Sequence, residues 1–160
     1  MATATPETIR NRIATLIAAL TPTSDTGVKF VQSRDEAAAD FPAWCEANPA
    51  ACLRRFQVRY DGNDSLPPVS AVDNSLQSAT FVILIAYPLT HRYGNGRDRD
   101  DVMDEDWRKI NYSCGIYGRA NFSSTNDCTP LGCERSVERG EKTDMLVVTF
   151  RCTFYLDVDA

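Results

Sequence analysis

Between Leu146 and Val158 the chain alternates apolar and polar residues almost without error. Leu146, Val148, Phe150, Cys152, Phe154, Leu156 and Val158 take the even positions, and Thr149, Arg151, Thr153, Tyr155 and Asp157 fall on odd ones. A period of two belongs to a strand with one face on a core and the other on water. β-Branched and aromatic residues fill the stretch, and neither Gly nor Pro interrupts it. Burying the large side chains of that face contributes roughly 1.5–3 kcal/mol each. So long a strand needs partners on both sides, and the rest of the chain must supply a sheet and something to cover it.

Upstream, Thr5-Pro6-Glu7 reads as a helix cap, a proline at the first helical position and an acid in the first turn. Ile9, Ile13, Leu16, Ile17 and Leu20 then recur at helical spacing, and Thr21-Pro22 ends the helix. Val28 to Gln32 predicts a short strand, and Ser33 to Glu36 a capping box opening a brief helix over Asp35 to Phe41. Pro42 begins a further short turn through Trp44 and Glu46. From Arg54 to Tyr60 the alternation returns, with Phe56, Val58 and Tyr60 inward and Arg55, Gln57 and Arg59 outward. Asp61 to Asp64 reads as a turn, and the segment through Pro67-Pro68 to Ser75 as irregular and exposed. The continuous apolar run from Ala79 to Tyr87, stopped by Pro88, predicts a central strand covered on both faces. A polar loop from His91 to Arg99 leads to a helix with acids at its start, Arg108 and Lys109 near its end, and a buried stripe of Met103, Trp107, Ile110 and Cys114. A strand is expected around Gly115 to Phe122. These elements predict one α+β domain over residues 1–160: a single twisted, mostly antiparallel sheet, helices mainly on one face, and long polar loops. Segments 61–78 and 115–140 are candidate exposed arms.

At 160 residues such a chain holds one core without staples. Its net charge of -5 argues against a general nucleic-acid binder, which needs clustered Lys and Arg. No apolar run approaches the length of a membrane span, and Met1 to Arg12 lacks the apolar core of a signal peptide, so synthesis in the cytosol is expected. Cys45, Cys52, Cys114, Cys128, Cys133 and Cys152 show no paired metal-ligand spacing, and free structural thiols are expected.

Chemistry has few footholds. Asp98, Asp100, Asp101, Asp104, Glu105 and Asp106 lack the frame of a calcium loop and fall on several faces of their helix, so a solvated acidic surface (Asp98, Asp100, Asp101, Asp104) is expected there. His91 is the single histidine, with no nucleophile signature around it. Gly94-Asn95-Gly96 lacks the lysine of a phosphate loop. Arg54, Arg55 and Arg59 are expected on an exposed strand face, either solvated or meeting acids of another copy. With Arg151 and Tyr155 they form the candidate subunit interface. No catalytic residue, metal or cofactor is assigned, which points away from an enzyme and toward an assembly part.

The order of elements resembles the tail-terminator proteins of long-tailed bacteriophages. The likeness is carried by the opening helix through Leu20, the strand Phe81 to Tyr87 with its loop to the helix Asp100 to Cys114, and the closing strand Leu146 to Val158. It implies a virion structural protein, made in the host cytoplasm and located in the tail or neck. Such proteins form six-fold homo-oligomeric rings that end the tail tube. The implied partners are further copies of the chain, the tail tube protein and a neck or connector protein, with DNA passing without specific binding. Two alternatives stand beside it: a head–tail connector or head-completion protein, and a small cytosolic metal-dependent enzyme built on His91 and the acidic loop.

Overall fold

Strong β-formers dominate Ala79–Tyr87 and Leu146–Tyr155, and these two runs become the inner strands of the sheet. The structure is a computed structural model that describes residues 4–33, 40–65, 76–123 and 128–155. Five strands make one sheet: β1 (Val31–Gln32), β2 (Arg55–Ser65), β3 (Leu76–Pro88), β4 (Cys128–Glu138) and β5 (Thr143–Tyr155). Their order is β1-β2-β3-β5-β4, antiparallel except for the parallel β1–β2 pair. β3 and β5 pair along their whole lengths, from Leu76 opposite Tyr155 to Pro88 opposite Thr143. The fold is α+β, as its sequence pattern predicts.

Four helices are described: α1 (Pro6–Ala18), α2 (Phe41–Ala47), α3 (Arg99–Cys114) and α4 (Ala120–Ser123). A capping box opens α1, Thr8 N–H donating to Thr5 Oγ1 (3.2 Å) and Thr5 N–H to Thr8 Oγ1 (3.1 Å). Ile9, Ile13 and Ile17 of α1, with Met103 and Ile110 of α3, meet Phe56, Phe81, Ile83, Val148 and Phe150 of the sheet in the main core. Only α2 lies on the other face, where Phe41 and Cys45 pack with Cys52, Leu84, Ala86 and Met145. The even positions of the closing strand are buried from Leu146 to Phe154, while Leu156 and Val158 lie outside the described residues. No helix among those described is long and apolar enough to cross a membrane.

Several expectations need correcting. The stretch 61–64 is not a turn: β2 runs through it to Ser65 by a bulge between Tyr60 and Asn63, where Gly62 takes a φ of 103° open to glycine. Residues 66–75 and the brief helix expected from Asp35 lie outside the described residues, apart from Asp40, the N-cap of α2, and Phe41, its first residue. No strand forms over Gly115 to Phe122. A 3-10 turn, Ile116–Gly118, and α4 occupy that stretch, and Gly118 packs so closely on the Ser113 carbonyl that a Cβ has no room. The sequence left 128–138 unassigned, and those residues form the edge strand β4, bulged between Pro130 and Gly132.

Candidate functional site

Where β2 begins and β3 ends, the sheet carries a buried polar centre. Arg54 immediately precedes β2 with a left-handed backbone (φ 55°), a conformation that costs a non-glycine residue about 1–2 kcal/mol. Its side chain is fully buried and forks onto Asp106 of α3, Nε to Oδ2 at 2.8 Å and Nη2 to Oδ1 at 3.2 Å. The remaining donors meet the carbonyls of Ser24 (2.7 Å), Asp25 (2.9 Å) and Val28 (3.1 Å). All five guanidinium hydrogens are thereby matched, which is what makes a buried arginine tolerable. The Tyr87 hydroxyl donates to Asp106 Oδ2 at 2.6 Å. Burial pushes the Asp106 carboxyl above its ordinary range, against the opposing pull of Arg54 and Tyr87. Burial, reinforced by the neighbouring Asp106, also pushes the Tyr87 hydroxyl well above 10.

The expectation of an exposed Arg54 is therefore wrong, and the reason is positional. Arg54 shares its parity with Phe56, Val58 and Tyr60, so it projects to the helix-covered side. Asp106 likewise leaves the solvated acidic cluster, lying one helical turn from both Met103 and Ile110 on the buried face of α3. Parity and helical spacing carried both signals.

This centre fixes two loops. The Asp25 carboxylate accepts the Gly94 N–H at 3.0 and 3.1 Å, tying residues 24–28 to the loop between β3 and α3. Ser24 Oγ donates to Glu105 at 2.8 Å, and Arg97 pairs with the same carboxylate. His91 Nε2 stands 3.9 Å from Asp25 Oδ1, and its ring meets Tyr93 edge-on. Asp25 is the only carboxylate with which His91 makes an ion-pair contact among the described residues, and those residues contain no group of three metal-ligating side chains.

A second buried carboxylate, Asp144, was missed in the sequence because it reads as part of a polar approach to β5. It accepts Arg99 Nε (2.8 Å), Arg139 Nη1 (2.8 Å) and the Gly140 N–H (3.3 Å), joining the β4–β5 turn to the start of α3. The acidic helix start is otherwise dispersed. Asp98 and Asp101 are exposed, and Asp104 pairs with Arg108 (2.7 Å) and Arg135 (3.0 Å). Exposed Asp100 pairs with Arg139 (2.7 Å), whose hydrogen bond holds its carboxyl below the usual range.

The candidate interface residues do not converge. Arg55 lies half-buried with its guanidinium over Trp44, 5.8 Å from the ring centre. Arg59 is exposed on the same outward face. Arg151, opposite Gly132, reaches Glu134 at 3.4 Å, and Tyr155 is half-buried at the end of β5. Sequence reasoning also missed a surface feature. Tyr112, Ile116 and Tyr117 are 72%, 55% and 79% exposed at the C-terminal end of α3, the tyrosine rings stacked at 6.2 Å. Beside them runs an open groove of about 760 Å³ that Arg108 and Lys109 also line. No protein-family model matches this chain, and no curated protein matches it either.

Proposed function

We propose that this chain is a virion structural protein, a ring-forming terminator that ends a phage tail tube and meets the neck. The observation that carries the reading is the patch of Tyr112, Ile116 and Tyr117. Clustered, exposed large apolar side chains mark interaction surfaces, and tyrosine with a neighbouring arginine is the composition interfaces favour. A closed ring joins two different faces of each subunit. The outer edge of β4, which pairs only with β5 among the described residues, offers a second and separate face. The polar networks support the same reading. Arg54, Asp106 and Asp144 spend their hydrogen bonds on holding loops in place, which suits a part that works by shape. A net charge of -5 suits a channel through which DNA passes, because like charge suppresses phosphate contacts.

Light scattering with negative-stain microscopy tests the proposal. Rings are expected, alone or on tail tubes, and Tyr112→Ala with Tyr117→Ala should shift the protein toward monomer. A compact monomer under both conditions would refute it.

A further inference from the structure

The outward stripe of α3 changes sign along its length. Asp101, Glu105, Lys109 and Tyr112 follow one another at spacings of four, four and three, so they share one side of the helix. Among the described residues, the ion pairs of α3 engage Arg99, Asp100, Asp104, Glu105, Asp106 and Arg108. Asp101, near the start, and Lys109, near the end, belong to none of those pairs. The Asp98 side chain, at the N-cap, makes no capping hydrogen bond either. Building on the ring reading, we propose that the groove beside Tyr112 and Tyr117 in one copy of the chain receives the acidic start of α3 from the next copy, with Lys109 facing Asp101.

Three observations support this contact. The first is charge. Arg108 and Lys109 line the groove, and Glu105, the carboxylate in its wall, is already held by Arg97 and the Ser24 hydroxyl. Exposed Arg119 follows the 3-10 turn that carries Ile116 and Tyr117. The groove thus offers unspent positive charge on a chain whose net charge is -5. At the other end of α3, Asp98 and Asp101 are exposed. Exposed Glu138 and Glu141 flank the β4–β5 turn that Arg139 and Asp144 tie to that same end.

The second is placement. A helix of 16 residues is about 24 Å long, so two different neighbours can engage its two ends at once. A closed ring requires that separation of unlike faces. Two grooves set against each other would instead bring Arg108 and Lys109 of both copies together, and like charges across an interface cost affinity. The third is the wall itself. Tyr112 and Tyr117 present apolar rings that a neighbour can cover, and their hydroxyls can donate to carboxylates. That combination suits a helix start bearing acids.

Charge reversal tests the pairing. Lys109→Glu and Asp101→Lys, each alone, should abolish the rings seen by negative-stain microscopy, and both changes in one chain should restore them. If either single reversal keeps its rings, or the folded double variant stays monomeric, this contact is overturned and the ring reading survives it. If the unaltered protein is monomeric both alone and with tail tubes, the two fall together. Should a variant fail to fold, carbodiimide cross-linking of assembled, unaltered protein decides. In a mixture of isotope-labelled and unlabelled chains, Lys109 of one copy should join Asp98 or Asp101 of another. Lys109 joined only within its own chain, only to the tail tube protein, or to nothing overturns the contact.

Discussion

Two regions of one sheet treat arginine in opposite ways. At the loop-bearing end, Arg54 is fully buried, and its donors meet Asp106 and three carbonyls. On the opposite face, Arg151 stands among Thr149 and Thr153 with its side chain 55% exposed, reaching Glu134 at 3.4 Å. Both pairs are formally salt bridges, yet their energetics differ in kind. Removing one partner of a buried pair strands the other charge away from water, whereas a surface pair gives up a contact that water and salt already weaken. The buried centre therefore holds the architecture of its end of the molecule, while Arg151 lies on the solvent side of β5.

The largest expected effect breaks that comparison at its buried side. Arg54→Ala leaves Asp106 unpaired and frees the carbonyls of residues 24–28, so denaturant unfolding should show a loss of about 3–5 kcal/mol. A loss no greater than that of a surface substitution would show that the centre is not the anchor described here.

A smaller effect sharpens it. Tyr87→Phe removes a hydrogen bond to a charged group, expected to cost about 1.5–3 kcal/mol near neutral pH. The pH dependence has a definite sign. The folded-state pKa of Tyr87 is raised above its ordinary 10, so the native state holds this proton after the unfolded chain releases it. Stability from Tyr87 is complete below pH 10 and declines as pH rises beyond it. The gap between the unaltered protein and Tyr87→Phe should close with alkaline pH, and a gap that widens would contradict this assignment.

The smallest effect lies on the open face. Arg151→Ala should change stability by less than about 1 kcal/mol, and that change should fade with added salt. A markedly larger loss would place Arg151 in the folding core after all. If assembly uses this face, the same variant should alter oligomer formation while leaving monomer stability nearly untouched.

Much of this fold was legible in the chain. Leu146 to Phe154 predicted the closing strand and its buried side, Ile9 to Ile17 predicted α1, and the apolar run from Ala79 predicted a strand covered on both faces. β4 was not legible. Its Pro130, Gly132, Glu134 and Arg135 obscure any period, because an edge strand with a bulge is under weaker demand to bury alternate side chains. The patch at Tyr112, Ile116 and Tyr117 was also hidden, since isolated aromatic residues near a helix end do not announce their exposure.

Side-chain periodicity is local, so the sequence alone decided which faces of α1, β3 and β5 turn inward, whereas Arg54 and Asp106, read there as exposed, proved buried in the tertiary structure. The sequence could not decide that Arg54, Tyr87 and Asp106 point at one another. That depends on α3 bringing Asp106 within reach of Arg54 and Tyr87, a meeting of segments far apart in the chain. The tertiary structure made it, because a buried guanidinium and a buried carboxylate are stable only where each completes the other's hydrogen bonds.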